Sequence, residues 1–312
     1  MIDSIDRIII DRLKMNCRIS LQKLSQLTGE SANAVMRRID SLVESGVIEE
    51  FVVILSPQMS DEDTVIAILE FATDQNEKKL LKTLSKNPSV FRVSRLLDGR
   101  FIVYGLYFNQ NELNTLIEHL NTLPQVRTVE MHFKFLHYWG GKIDLTSDHR
   151  EVLRCLLDDP RMTVSNIAGR TGLESNRIKE IIEHLRASEA ALFTINTSED
   201  LDAKTTEVIA KVQWNVGKTS KEEVLHWLQE EFGSLRLGEC VSAIEPTLFF
   251  HFSVNHVQEI EIVVNKTKEF GLVTTIEPLI MFPGIKFSDP RHRRAKALLE
   301  ETGFSAQKSP FA

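Results

Sequence analysis

The feature that most constrains this chain is an internal repeat. At an offset of 143 residues the sequence aligns with itself, without a gap, over roughly its first forty positions. Arg7 meets Arg150, Leu13 meets Leu156, Arg18 meets Arg161 and Leu24 meets Ile167. Thr28-Gly29 meets Thr171-Gly172, Asn33 meets Asn176, Ile39 meets Ile182 and Leu42 meets Leu185. The same offset joins the strand-like runs Val65–Phe71 and Val208–Trp214, beyond which small insertions break the register. Two long units, not many short ones, predict a tandem duplication rather than a solenoid.

Each unit reads as two parts. In the first, Ile5, Ile8, Ile9 and Leu13 fall at helical spacing. Ser20 caps a second helix with Leu21, Leu24 and Leu27 on one face. Thr28-Gly29-Glu30 is a tight turn, and Ser31 caps a third helix with Val35, Ile39, Leu42 and Val43 directed inward. Gly46 ends that helix, and Val47-Ile48 with Phe51–Leu55 read as the hairpin of a wing. This is the winged helix-turn-helix plan. The second part reads β-α-β-β-α-β, with strands Val65–Phe71, Val90–Leu96, Phe101–Phe108 and Val126–Phe135 and helices Glu77–Ser85 and Asn111–Leu123. That order is ferredoxin-like. The second copy repeats it over Glu207–Met281.

The predicted fold class is therefore α+β, a tandem repeat of winged helix-turn-helix plus ferredoxin-like βαββαβ domain. The expected division is 1–56, 60–138, 144–198 (degenerate), 203–283 and a basic tail over 284–312. An open four-stranded sheet has to bury its apolar face. The two sheets are thus expected to pair within the chain through Val65–Phe71, Phe101–Phe108, Val208–Trp214 and Leu248–Val254.

Charge must be counted by segment. Taken over the whole chain, the net charge of −7 opposes a nucleic-acid partner. Residues 1–50, 60–138 and 146–192 are each near neutral, whereas 199–283 carry seven Lys/Arg against fourteen Asp/Glu. A basic DNA-facing surface remains available outside that acidic segment. No apolar run approaches the roughly 18–20 residues of a membrane span. Acids stand near the first residues, where a signal peptide needs bases, so a cytoplasmic protein is expected. Cys17, Cys155 and Cys240 are too dispersed for a disulfide framework or a metal cluster.

The run Thr28–Phe51 (TGESANAVMRRIDSLVESGVIEEF) resembles the winged-helix signature of the leucine-responsive regulatory protein/AsnC transcription regulators. The β-α-β-β-α-β unit is similar to that family's ligand-sensing and dimerisation domain. The resemblance covers about residues 1–283 as two fused copies. It implies double-stranded DNA as partner, a dimer built on paired sheets, and a small-molecule effector such as an amino acid. Two copies in one polypeptide suggest a built-in pseudo-dimer, with homo-oligomers of whole chains still open. The second copy has diverged: Glu180 and Ile181 stand where Arg37 and Arg38 stand, and Glu189 replaces Gly46. The family's effector-loop pattern is not reproduced, and only Asp98-Gly99-Arg100 occupies that place.

DNA reading needs outward side chains on a recognition helix. The first copy offers Ser31, Ala32, Asn33, Arg37, Arg38 and Ser41, with Asp40 and Glu44 expected on the flank. The second offers Asn176, Arg177 and Lys179, opposed by Glu180 and Glu183. The stretch Pro290–Lys296 is basic, and it is expected either to track phosphates or to dock on the acidic fourth segment. Enzymatic signals are poor: Gly140-Gly141-Lys142 lacks the spacing of a phosphate loop. The reading is thus a regulator without catalytic residues, metal or cofactor. Its alternatives are a ligand-sensing or protein-interaction module without specific DNA binding, and an enzyme resembling the siroheme decarboxylases, which share this architecture.

Overall fold

The computed structural model describes residues 2–134, 140–198, 205–233, 235–242 and 246–300. The first copy runs α1 (Ser4–Met15), α2 (Leu21–Thr28), α3 (Ala32–Glu44), β1 (Ile48–Leu55), the helical turn α4 (Pro57–Ser60), β2 (Asp63–Phe71), α5 (Glu77–Leu84), β3 (Val90–Arg95), β4 (Phe101–Tyr107), α6 (Gln110–Asn121) and β5 (Val126–Lys134). The second runs α7 (Ser147–Asp158), α8 (Val164–Thr171), α9 (Ser175–Ala187), β6 (Ala191–Thr197), β7 (Thr206–Trp214), α10 (Lys221–Phe232), β8 (Arg236–Val241), β9 (Thr247–Val254), α11 (Val257–Glu269) and β10 (Val273–Ile280). A short strand β11 (Ile285–Lys286) and a final helix α12 (Pro290–Glu300) follow. Helices α1, α2 and α3 and strand β2 reappear 143 residues later as α7, α8, α9 and β7, residue for residue.

The chain does not divide copy by copy. One compact unit gathers the described residues of Met1–Asp61, Trp139–Leu201 and Arg291–Ala312; the other gathers Glu62–Tyr138 and Asp202–Pro290. The first therefore holds both winged helices, and the second holds both sheets.

In the winged-helix unit the caps are those the sequence promises. Ser20 and Ser31 accept from Lys23 N and Ala34 N, and Gly29 ends α2 in the left-handed conformation. The wing differs from expectation. Residues Ile48–Leu55 form one continuous strand, not a hairpin, and its partner is β6 of the other copy. Phe51 lies opposite Ile195 and Val52 opposite Thr194. Thr194 is the repeat equivalent of Phe51, and Ile195 that of Val52, so the register maps onto itself when the copies are exchanged. A pseudo-two-fold axis passes between these pairs, the arrangement of an isologous dimer inside one chain. Nearby, the half-buried Arg18 donates to Pro160 O at 2.6 Å and Met162 O at 2.9 Å. Its repeat equivalent Arg161 lies over the Phe51 ring at 5.1 Å. Burial lowers the pKa of Arg18. One continuous core results, from Ile9, Leu13, Leu24 and Val35 of the first copy to Val152, Leu156, Ile167 and Ile178 of the second.

The tail helix joins this core, where Ala295 and Leu299 are buried. Arg150 and Arg154 of α7 donate to Leu298 O at 2.5 Å and Leu299 O at 2.6 Å, satisfying end carbonyls of α12. Arg294 donates to Ser60 O at 3.0 Å. The expected docking on the acidic fourth segment is thus corrected: the helix docks on the winged-helix unit, because Ala295, Leu298 and Leu299 share a face and match its apolar surface. His292, Arg293 and Lys296 point away and are exposed.

In the sheet unit the strand orders are β10-β7-β9-β8 and β11-β3-β4-β2-β5. Alternation along each strand gives every sheet two apolar faces. In the first sheet Val65, Ala67 and Leu69 pack on α5 and α6 with Leu84, Leu116 and Leu120. The intervening Ile66 and Ile68, with Ile102 and Tyr104, meet Ile209, Phe249, Leu279 and Met281 of the other sheet. The sheets pair through the four runs expected. Polar contacts rim this interface: Arg92–Glu207 at 3.1 Å, Arg100–Glu277 at 2.6 Å, and a Lys211–Glu130 ion pair. Tyr104 Oη lies 3.2 Å from His251 Nε2. After β10 the chain leaves its own sheet and runs along β3, where Ile285 faces Val93 and Lys286 faces Arg92. Gly284 permits this crossing, since a Cβ there would sit 2.5 Å from Ser94 Oγ.

Candidate nucleic-acid interface

Helix α3 buries Val35, Ile39 and Leu42 and turns its other side to solvent. The exposed set contains Ser31, Asn33, Met36, Arg37, Asp40, Ser41, Val43 and Glu44, with Ala32 half-buried. Two corrections follow. Val43 is 42% exposed, since it lies one residue past the buried stripe, and Met36 at 45% is a surface residue that sequence reasoning passed over. Asp40 and Glu44 do not sit on a flank. A period of 3.6 residues puts Asn33, Arg37, Asp40 and Glu44 in one outward row. Any base-reading contact therefore belongs to the N-terminal half, because the C-terminal half presents carboxylates that repel phosphate.

Arg38 is likewise corrected from reader to tie. Its Nη1 donates to Asp3 Oδ2 at 2.9 Å and Asp6 Oδ1 at 2.8 Å, and its Nη2 reaches Glu30 at 3.4 Å. The hydrogen bonds to Asp6 and Asp3 raise the guanidinium pKa. Asp3 and Asp6 form a capping box at the start of α1, so Arg38 fixes α3 against that helix start. The signal was present as Asp3 and Asp6 in the first turn, but only the packing of α1 on α3 brings them to Arg38. Arg37, one residue earlier, is exposed and forms no ion pair among the described residues.

Helix α9 offers a different surface. Asn176, Lys179, Glu180 and Glu183 are exposed, while Ile181, in the place of Arg38, is buried outright. Arg177 does not point freely outward: its Nε donates to Asp148 at 3.0 Å, and its Nη1 lies 3.7 Å from Glu180. Beside it His149 Nε2 lies 3.1 Å from His184 Nδ1, and burial lowers the His149 pKa. Glu174 caps α9 without a side-chain hydrogen bond, unlike Ser31 on α3. Glu189 keeps the left-handed conformation of Gly46, with φ of 54° against 74°.

The candidate effector loop lies in the sheet unit. Gly99 turns the β3–β4 hairpin with φ of 90°. Arg100 is held by Asp98 at 2.6 Å and by Glu277 of the opposite sheet at 2.6 Å. Its hydrogen bond to Asp98 raises its pKa. These residues border an open polar cleft of about 700 Å³ that also includes Glu70, Asp74, Arg95 and Phe101. Among the described residues no group of three or more His, Cys, Asp or Glu is placed to hold a metal ion. No helix among them is long and apolar enough to cross a membrane.

Comparison with known proteins agrees with this geometry. The AsnC-type helix-turn-helix domain profile matches residues 2–43, and a winged helix-turn-helix DNA-binding profile matches 149–189. An uncharacterised HTH-type transcriptional regulator of Pyrococcus furiosus is 28% identical over 159 residues, covering 48% of this chain and 97% of that protein. The HTH-type transcriptional regulator FL11 of Pyrococcus horikoshii is 28% identical over 126 residues, covering 40% of this chain and 83% of its own. Each of these relatives thus spans about half of the present chain. A crystal structure of the siroheme decarboxylase NirDL has a TM-score of 0.58 at 14% identity, covering 94% of this chain and 98% of that one. That likeness is one of fold over nearly the full length. The chain is a tandem-fusion AsnC-like protein, in which two copies of a winged helix-turn-helix plus ferredoxin-like domain form a pseudo-dimer within one polypeptide.

Proposed function

We propose that this chain is a DNA-binding transcription regulator of the cytoplasm, and not an enzyme. The observation that carries the reading is the β1–β6 ribbon, whose register is two-fold symmetric and which joins one AsnC-type and one second winged helix in one unit. Single-copy regulators bring two recognition helices together by dimerising, and operator symmetry mirrors that axis. Here the same pairing lies inside one chain. In the first copy Ser31, Ala32, Asn33 and Arg37 face DNA, with Arg38 as a positioning residue and Ser41 outside the reading half. In the second Asn176 and Lys179 do so, with Arg177 as the positioning residue. A small-molecule effector such as an amino acid fits the polar cleft beside Asp98, Gly99 and Arg100. The test is retention of duplex DNA as salt is varied. Affinity that falls steeply and linearly with log salt supports the reading; no retention at low salt overturns it.

The whole-chain likeness of fold to a siroheme decarboxylase favours a second reading, a porphyrin-binding enzyme. Absorbance of the purified protein in the Soret region separates the two. A saturable shift of the Soret band on titration with iron porphyrin supports the enzyme, and a band that stays that of free porphyrin supports the regulator.

A further inference from the structure

We infer that the two recognition helices read different base pairs at one equivalent position, so that the operator is a palindrome broken in a defined way. This rests on the DNA-binding reading above and adds the base chemistry of that same interface. The N-terminal half of a recognition helix is the part that meets base edges in the major groove. With Arg38 and Arg177 engaged by acids within the unit, three equivalent positions of that half are exposed on both helices: Asn33, Met36 and Arg37 on α3, and Asn176, Lys179 and Glu180 on α9.

The first position is identical. An asparagine amide pairs in two places with adenine N6 and N7, so both half-sites carry adenine there. The last position is inverted in charge. Arg37 matches the O6 and N7 acceptors of guanine, whereas Glu180 can only accept and matches the N4 amino donor of cytosine. Glu180 beside a phosphate would be repelled; with Arg177 Nη1 3.7 Å from one carboxylate oxygen, it keeps acceptor capacity for a cytosine amino group. The middle position differs in kind. Met36 exposes 45% of an apolar side chain in the N-terminal half, between the polar Asn33 and Arg37. A thymine C5-methyl is the one base-edge feature that apolar contact recognises. Lys179 in its place takes guanine or a phosphate. The first half-site is thus read as adenine, thymine and guanine, and the second as adenine and cytosine with no thymine preference.

The experiment is selection of duplexes from a random pool by the full chain, by Arg37→Glu and by Glu180→Arg, each checked by thermal melting. The parent is expected to select two half-sites with adenine in both, guanine in one and cytosine in the other. Glu180→Arg is expected to select guanine in both halves, and Arg37→Glu cytosine in both, with the preferred base favoured roughly tenfold or more. Replacing thymine by deoxyuridine in the first half-site should weaken the parent and leave Met36→Ala unaffected. Unchanged base preference in a folded variant, or enrichment of a single half-site, overturns the inference while leaving DNA binding intact. Retention of duplexes without enrichment of any sequence likewise overturns the inference, and failure to retain any duplex overturns the DNA-binding reading itself.

Discussion

At the scale of single residues, Arg37 and Arg38 are adjacent in sequence and opposite in surroundings, the first exposed and the second tied to Asp3 and Asp6. The 3.6-residue period puts both in the outward set, and it holds for the exposed Arg37 but not for the half-buried Arg38. What settles Arg38 is the capping box of α1, a tertiary neighbour that no local pattern reports. Arg37→Ala should therefore weaken DNA binding by about 1–3 kcal/mol with an unchanged melting temperature. Arg38→Ala should lower the melting temperature, as seen by calorimetry, since it leaves Asp3, Asp6 and Glu30 facing one another. Glu130 supplies a second residue-scale test. Its hydrogen bond from His132, with Lys211 beside it, holds the carboxyl at about 2 despite burial. A carboxylate depressed in the folded state contributes stability above its unfolded value and loses it as pH falls through the folded one. The melting-temperature gap between the parent and Glu130→Gln should accordingly be full above about pH 5 and close between about pH 4 and pH 2. A gap independent of pH across that window would show that Glu130 acts by shape alone.

Among elements, those with strong local signals were legible: helices with Ser caps and glycine stops, and strands bounded by turns. The wing was not, because a strand records its burial pattern but not its partner. The same β-rich letters at Phe51–Leu55 suit a hairpin or an interdomain ribbon, and only the second copy decides between them. The tail failed for a related reason. Its basic residues suggested an acidic partner, but its docking face is apolar and its C-terminal end is tied by Arg150 and Arg154. Leu299→Ala should cost about 2 kcal/mol in thermal or denaturant unfolding, the usual range for a buried leucine. In the second copy α9 has lost the cap that Ser31 gives α3. Glu174→Ser should restore it and raise stability by about 1 kcal/mol, measured by urea unfolding; no gain would mean that another group already serves the α9 start.

For the whole molecule, the repeat in the sequence carried the essential point, that one chain holds what two single-copy chains would otherwise assemble. The regrouping into a winged-helix unit and a sheet unit was less visible, since it depends on which surfaces of the two copies meet. The unbroken apolar run Val65–Leu69 of β2 is what burial on both faces requires, and Ile66, Ile68 and, from β7, Ile209 fulfil it. Divergence between the copies then becomes possible without loss of assembly: Lys211 answers Glu130, and Glu277 answers Arg100, each across the pair. The central claim is that the pairing is within one chain. Val52 and Thr194 face each other across the β1–β6 ribbon, beside its pseudo-two-fold axis. Mild oxidation of a Val52→Cys/Thr194→Cys chain, with Cys17, Cys155 and Cys240 replaced by serine or alanine, tests it directly by mass under non-reducing denaturing conditions. The account predicts an internally cross-linked single chain of about 35.6 kDa at all protein concentrations. A covalent dimer of twice that mass, or no cross-link at all, would contradict it.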